Sequence, residues 1–215
     1  MHAAPVTVIT PRYNLAVATS SYPPMAPELE EFRGQFEALS ADASDLVAPL
    51  AEAQFTWSPA PDTWSVAQCI EHLNVTARAY LPALDEGIAS AIRAGVYGSG
   101  PFTYNVLGRL MVRSMEPPPF WRFKAPSIFA PPATGQTQRT RGEIMAGFRG
   151  YQVQYVDRLR QANGVDLAKA KVVSPANRLL HISLGSGFAL QIAHERRHLW
   201  QARQLLARPE FPRAV

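Results

Sequence analysis

The sequence predicts an all-α protein whose fold is a four-helix bundle. Apolar residues recur at helical spacing in four long stretches, residues typical of helix starts precede two of these stretches, and no stretch shows a convincing strand pattern. A long connection joins the second and third stretches. Because it can travel the ~37 Å of a bundle helix and return the chain parallel, we expect an up-down-down-up topology with a crossover between helices two and three.

The first helix is predicted over residues 27–47. Pro27 suits a first helical position, because its missing N–H would have no helical partner there. Phe36 belongs to an apolar stripe at helical spacing, and Pro49 discourages continuation of the helix.

The second helix is predicted from Ser65 to about Gly95. Ser65 and Gln68 form a capping box, in which each side chain bonds the backbone N–H of the other residue. An apolar stripe continues through the helix, and Pro82 is expected to kink it. His72 lies about two turns into this helix, beside the stripe.

Residues 96–139 interrupt the helical pattern. A short helix is expected from Phe102 to Val112, and an irregular, proline-stiffened segment follows as far as Pro132. Long segments of this kind in compact domains usually serve as lids or crossovers. The aromatic residues of the segment are therefore expected to pack over the core or to roof a pocket.

The third and fourth helices complete the predicted bundle. Thr140 and Glu143 form a second capping box, and Asn163-Gly164 provides a good C-terminal stop for the third helix. A connection containing His181 leads to the fourth helix, which is predicted over residues 186–207.

The predicted division of the chain is an extended or disordered tail over residues 1–26, the bundle over residues 27–208 and a short tail over residues 209–215.

Composition excludes several classes of function. The 215 residues are 47% hydrophobic and 18% charged, which suits one globular domain with a good core. The net charge is only +4 and the arginines are scattered, so no nucleic-acid partner is expected. No apolar run approaches the ~18 residues of a membrane span, and the N-terminus lacks the charged region of a signal peptide. A single cysteine excludes an internal disulfide and fits a reducing compartment, so we expect a cytoplasmic protein.

The stretch His194-Glu195-Arg196-Arg197-His198 carries the clearest chemical signal. Positions i and i+4 share one face of a helix, so both imidazoles can reach a single ion, although this spacing also occurs on solvated helix faces. The string matches the zincin signature, in which the glutamate is a general base. However, Gln201 and Gln204 stand where the longer signature needs glycine and histidine, and only Glu210 follows as a carboxylate ligand. We therefore look for a third ligand upstream.

Further residues in the second and fourth helices, and before the second helix, form an ordered pattern with this pair. In chain order they are Gln54-Phe55-Thr56-Trp57, Trp64-Ser65, His72-Leu73, His194, His198 and Gln201. The pattern resembles the DinB/YfiT-like superfamily. The resemblance covers roughly residues 28–207, and it is specific through its ordered histidines rather than through overall composition.

The resemblance implies a four-helix bundle in which three histidines hold a divalent metal ion. The ligands would be His72 from the second helix and His194 and His198 from the fourth, with zinc or nickel as the expected metal and iron or manganese as alternatives. The family includes thiol-dependent S-transferases and isomerases, and metal-dependent hydrolases. We therefore expect a thiol S-transferase or a small-molecule hydrolase; the alternative is a non-catalytic metal-binding or stress-associated bundle acting through partners. The expected partners are a small-molecule substrate, such as a low-molecular-weight thiol, and a second copy of the chain.

Several residues near the predicted site have more than one interpretation. Gln201 either orients an imidazole or bound water, or is an ordinary surface residue. Cys69 either approaches the ion as a soft ligand or is a small core residue, against which Trp64 packs as a hydrophobic staple. His181 either lines the mouth of the site or bonds to nearby backbone. For Glu195 a solvated or inter-helix role is favoured over catalysis.

Overall fold

The computed structural model describes residues 24–119, 126–132 and 139–213. These residues are mostly helical, which confirms the all-α prediction. Most of the predicted N-terminal tail, and the aromatic residues expected to roof a pocket at positions 120–123, lie outside the described residues. The helices of the described part are α1 (Pro27–Val47), α2 (Glu52–Phe55), α3 (Val66–Arg93), α4 (Val106–Met115), α5 (Arg141–Gln161) and α6 (Leu184–Leu206), with a 3-10 turn at Ser127–Phe129.

Capping side chains explain where the helices begin. The Ser65–Gln68 box starts α3 and the Thr140–Glu143 box starts α5, as predicted, with both reciprocal hydrogen bonds formed in each box. The short helix α4 begins later than expected, because the side chain of Asn105 accepts a hydrogen bond from the backbone of the helix.

The last helix begins two residues earlier than the predicted start at 186. Its N-cap is Ser183, whose hydroxyl accepts a hydrogen bond from the N–H of Ser186. The cap lies at the end of a strand, so the chain passes directly from strand to helix.

The connection predicted before the fourth helix contains two strands that the sequence pattern did not indicate. Two short strands, β1 (Lys171–Val173) and β2 (His181–Ser183), form an antiparallel pair before α6. Val172 and Ile182 face each other in this register and are both buried. Each strand has only three residues, too few to show a clear alternating pattern in the sequence.

Each of the helices α1 and α3 packs against both α5 and α6. Phe36 of α1 stacks on Tyr155 of α5 at a centroid distance of 4.6 Å, and Phe32 packs against Phe188 of α6 at 6.2 Å. The core therefore lies between the four long helices. Measured over the described residues, every helix is too short or too polar to cross a bilayer.

Two ion pairs link α3 to α5 and to the residue just before the N-cap of α5. Arg139, just before α5, bonds Glu71 at 2.8 Å, and Arg158 bonds Asp85 at 2.8 Å. Glu71 is 5% exposed, so its charge is neutralised inside the protein rather than by solvent.

Gly87 allows the strand pair to pack closely on α3. A Cβ atom at this position would lie 2.7 Å from the carbonyl oxygen of Lys171 and 3.1 Å from a methyl carbon of Val172. The first contact involves backbone, so it can be relieved only by moving β1 away from the helix.

We predict that Gly87→Ala lowers the free energy of unfolding by about 1–3 kcal/mol, because the added methyl group overpacks the α3–β1 contact. Gly34→Ala is the matched control, because Gly34 is an exposed helical glycine with nothing within 4 Å of the added methyl group. It should raise stability by up to ~1 kcal/mol. Urea denaturation measures both changes, and a Gly87→Ala protein as stable as the wild type would contradict the prediction.

Candidate metal centre

Three histidine side chains converge where α3 packs against α6. The Nε2 atom of His194 lies 3.1 Å from Nε2 of His72 and 3.1 Å from Nε2 of His198. Two nitrogens that share an ion at ~2.0–2.1 Å each are themselves about 3–3.4 Å apart. One nitrogen of each ring lies within 4.8 Å of those of the other two. The three histidines are therefore positioned to bind a metal ion.

A main-chain group orients His72. Its Nδ1 atom donates a hydrogen bond to the carbonyl oxygen of Phe129 at 2.6 Å. The proton is thereby placed on Nδ1, and the lone pair of Nε2 points to the other two histidines. The Phe129 ring is buried and packs against Tyr80 at 6.1 Å, which holds the carbonyl group in place.

Pro132 and Arg139 are each bonded to α3 within the turn that precedes His72. Gln68, one turn earlier, donates a hydrogen bond to the carbonyl oxygen of Pro132 at 3.1 Å. Glu71 accepts two hydrogen bonds of 2.8 Å from Arg139. Residues 126–132, which supply the Phe129 carbonyl, are therefore held by the same turn of α3 that leads to His72.

Trp64 covers the imidazoles from the side of the α3 N-terminus. Its ring lies 4.8 Å from the ring of His72 and 5.6 Å from that of His198. Trp64 immediately precedes the capping residue Ser65, so the cap that starts α3 also fixes the approach of this ring. The indole excludes water from one face of the site.

Burial keeps the three imidazoles neutral. It lowers the pKa of His194 to about 3, and the electrostatic interactions with Arg197 and with the ring of His72 act in the same direction, since a second proton in the cluster would be repelled. The pKa of His198 is held well below its ordinary value for the same reasons, desolvation first. Burial also lowers the pKa of His72, against a smaller rise caused by the bond to Phe129. At neutral pH the nitrogen lone pairs are thus available to a metal without displacing a proton.

Two arginines between the histidines attach α4 to α6. Arg196 forms an ion pair with Glu116 at 2.8 Å, and the buried Arg197 donates to the carbonyl oxygen of Ser114 at 3.4 Å. These two arginines therefore attach α4 to the part of α6 that carries the histidine pair.

Glu195 faces the interior of the bundle. It is 4% exposed, and one carboxyl oxygen accepts a hydrogen bond of 3.1 Å from Gln152 of α5. Burial raises the pKa of Glu195 to about 8, against a smaller lowering by the bond to Gln152. Of the two expected roles, the structure supports the inter-helix one and excludes a solvated one. Glu210, the carboxylate that a zincin would need, is exposed and is not part of the histidine group.

The other candidate residues have different positions. Cys69 lies in the core, where burial raises the pKa of its thiol to about 12, and it is not part of the histidine group. His181 is exposed on β2 and also lies outside the group. Gln201 is partly exposed one turn beyond His198, and its side chain raises the pKa of that histidine against the effect of burial.

Two contributors to the site were not identified from the sequence. The Phe129 carbonyl is a main-chain group in an irregular segment, so no residue type indicates it. Trp64 belongs to the pattern that carries the resemblance, but the role expected for its side chain was packing against Cys69, although its place next to the capping box does put it beside the first turns of α3.

A cavity of about 280 Å³ lies elsewhere, between α4 and α6. It is not lined by any of the three histidines. Its lining residues are Tyr104, Arg109, Val112, Arg113, Glu116, Ser186 and Ala189.

The fold and the histidine cluster together define a mostly helical protein with a three-imidazole centre. The family profile of the DinB superfamily matches residues 35–202, which is most of the chain. The chain therefore belongs to the DinB superfamily, which confirms the resemblance found in the sequence. Searches of curated proteins and of solved structures each found no match.

We predict that the buried carboxyl of Glu195 makes stability fall as pH rises. Its pKa in the folded protein, about 8, is above the ordinary value of 4.5, so between these values the folded state holds a proton that the unfolded state has lost. This group therefore lowers the free energy of unfolding by about 1.4 kcal/mol per pH unit in that window.

The variant Glu195→Gln should remove this contribution, because it is neutral at every pH and can still bond Gln152. Between pH 5 and pH 7 its free energy of unfolding should gain roughly 2–3 kcal/mol relative to the wild type. Glu210→Gln, at an exposed position, is the control and should follow the wild-type curve. Parallel pH profiles for the wild type and Glu195→Gln, measured by urea denaturation, would contradict the prediction.

Proposed function

We propose that this protein is a metal-dependent enzyme that uses one divalent ion held by His72, His194 and His198. The proposed reaction is either transfer of a low-molecular-weight thiol to an electrophile or hydrolysis of a small molecule. The observation that supports the proposal is the convergence of three neutral Nε2 atoms, with separations of 3.1 Å from His194 to each of its partners.

The composition of the histidine group favours a catalytic over a structural ion. Three neutral imidazoles leave the charge of a divalent ion uncompensated and leave room in its coordination sphere for a reactant. A bound divalent metal supplies Lewis acidity, which polarises a carbonyl group or lowers the pKa of water or of a thiol. The protein holds the ligands for this purpose, with the Phe129 carbonyl orienting His72 and Trp64 excluding water from one side.

The proposed metal is zinc or nickel, with iron or manganese as alternatives. Neutral imidazole suits each of the first three, and residue type alone does not separate them. Among the described residues, the group contains no cysteine and no carboxylate. Neither a soft thiolate ligand nor a hard anionic oxygen is therefore present to favour one of these metals.

A second candidate is a non-catalytic metal-binding or stress-associated bundle. The observation that favours it is the position of the 280 Å³ cavity, which none of the three histidines lines. An ion without an adjacent substrate pocket would stabilise the α3–α6 contact and leave function to partner proteins.

The proposal includes the remaining features expected from the sequence. The contacts of α1 and of α3 with both α5 and α6 support a bundle of four long helices, and we propose an up-down-down-up order for it. We also propose a cytoplasmic homodimer acting on a small molecule, without nucleic-acid or membrane partners. Exposed apolar side chains on α4, those of Val106, Leu107 and Leu110, would suit a contact between two copies.

We predict that His194→Ala weakens zinc or nickel binding by more than ~100-fold, because loss of a ligand should cost more than loss of an outer partner. His181→Ala is the control, because that histidine is exposed on β2 and lies outside the group. Elemental analysis of the purified proteins and competition titration with a chelator measure the effect. Wild-type metal content in His194→Ala would reject the proposed site.

We predict that removal of the metal abolishes activity and that adding it back restores activity. Glutathione with 1-chloro-2,4-dinitrobenzene tests thiol transfer, and p-nitrophenyl acetate tests hydrolysis. Both reactions depend on the same ion, so His194→Ala should reduce whichever activity is found by at least ~100-fold. Full activity of the metal-free protein would contradict a metal-dependent enzyme, whereas metal binding without either activity would favour the non-catalytic candidate.

A further inference from the structure

Two of the converging histidines differ in how their second ring nitrogen is bonded. Nδ1 of His72 donates to the Phe129 carbonyl, whereas Nδ1 of His198 is buried without a hydrogen-bond partner among the described residues. Nε2 of His198 faces His194, so a neutral ligand at this position must carry its proton on Nδ1. The structure therefore leaves a buried N–H donor that needs an acceptor.

Gln201 is placed to provide that acceptor. It follows His198 by three residues in α6, so the two side chains share a face of the helix. Side chains in a helix lean toward its N-terminus, which brings the Gln201 amide over the turn of His198.

We propose that the Oε1 atom of Gln201 accepts a hydrogen bond from Nδ1–H of His198 when the site holds its metal. Gln201 is then a positioning residue, because it sets the tautomer and ring orientation of His198 without touching the ion. The inference rests on the proposed metal site and deepens it, since it gives His198 a counterpart to the bond between His72 and Phe129.

The test compares Zn²⁺ dissociation constants of the full-length wild type and three variants. Gln201→Leu keeps the size of the side chain but removes the acceptor, and it should raise the dissociation constant about 10- to 100-fold. Gln201→Glu retains an acceptor and should bind Zn²⁺ at least as tightly as the wild type, because a carboxylate accepts more strongly than an amide. Gln204→Leu is the matched control, an exposed glutamine one turn further along the same helix, and should bind as the wild type does.

A spectroscopic measurement separates positioning from general stabilisation. In the zinc-loaded wild type, the Nδ1–H proton of His198 should give a slowly exchanging NMR signal, and Gln201→Leu should lose it. Gln201 is partly exposed, so the thermal midpoint of the metal-free protein should be nearly the same in all four proteins.

Two results would overturn this inference while leaving the metal site intact. One is wild-type Zn²⁺ affinity in Gln201→Leu, and the other is weakened binding that Gln201→Glu does not restore. Failure of the wild type itself to bind Zn²⁺ or Ni²⁺ would instead overturn the proposed function, and the role of Gln201 with it.

Discussion

The contact between α3 and α6 creates the histidine cluster, because it brings neutral imidazoles from two helices within 3.1 Å of one another. Protonated rings could not approach so closely, since like charges in a poorly solvated site repel strongly. Burial lowers the pKa values of all three histidines and so permits the approach. The same desolvation that makes the cluster possible also makes the nitrogen lone pairs available to a metal.

The surrounding polar residues form inter-helix contacts that support this arrangement. Arg196 and Arg197 attach α4, Glu195 bonds α5, and Glu71 holds the residue that precedes α5. The polar residues that adjoin the histidines in the sequence therefore contact α4, α5 or the residues just before α5. This division follows from the 100° turn per helical residue, which distributes adjacent side chains around the axis.

Local signals allowed much of the fold to be predicted from the sequence. Ser65 and Thr140 mark the starts of α3 and α5, because a capping box needs only residues three apart in the chain. The histidine pair in α6 was likewise found from spacing, whereas His72 was assigned by resemblance, because its approach to α6 is a tertiary contact. The strands β1 and β2 were missed because they are short and are stabilised by packing of Val172 and Ile182 on the bundle. The inward orientation of Glu195 could not be predicted either, because its hydrogen-bond partner Gln152 lies on another helix. Residue spacing along a single helix does not identify such a partner.

The bond between His72 and the Phe129 carbonyl makes the orientation of an imidazole depend on the main chain of residues 126–132. Every residue type has a carbonyl group, so the acceptor survives replacement of Phe129 by another side chain that fills the space beside Tyr80. An insertion or deletion between Pro126 and Pro132 would instead change the reach of the backbone by up to ~3.5 Å per residue and move the oxygen away from the imidazole. The orientation of His72 therefore depends more on the number of residues in this stretch than on which side chain stands at position 129.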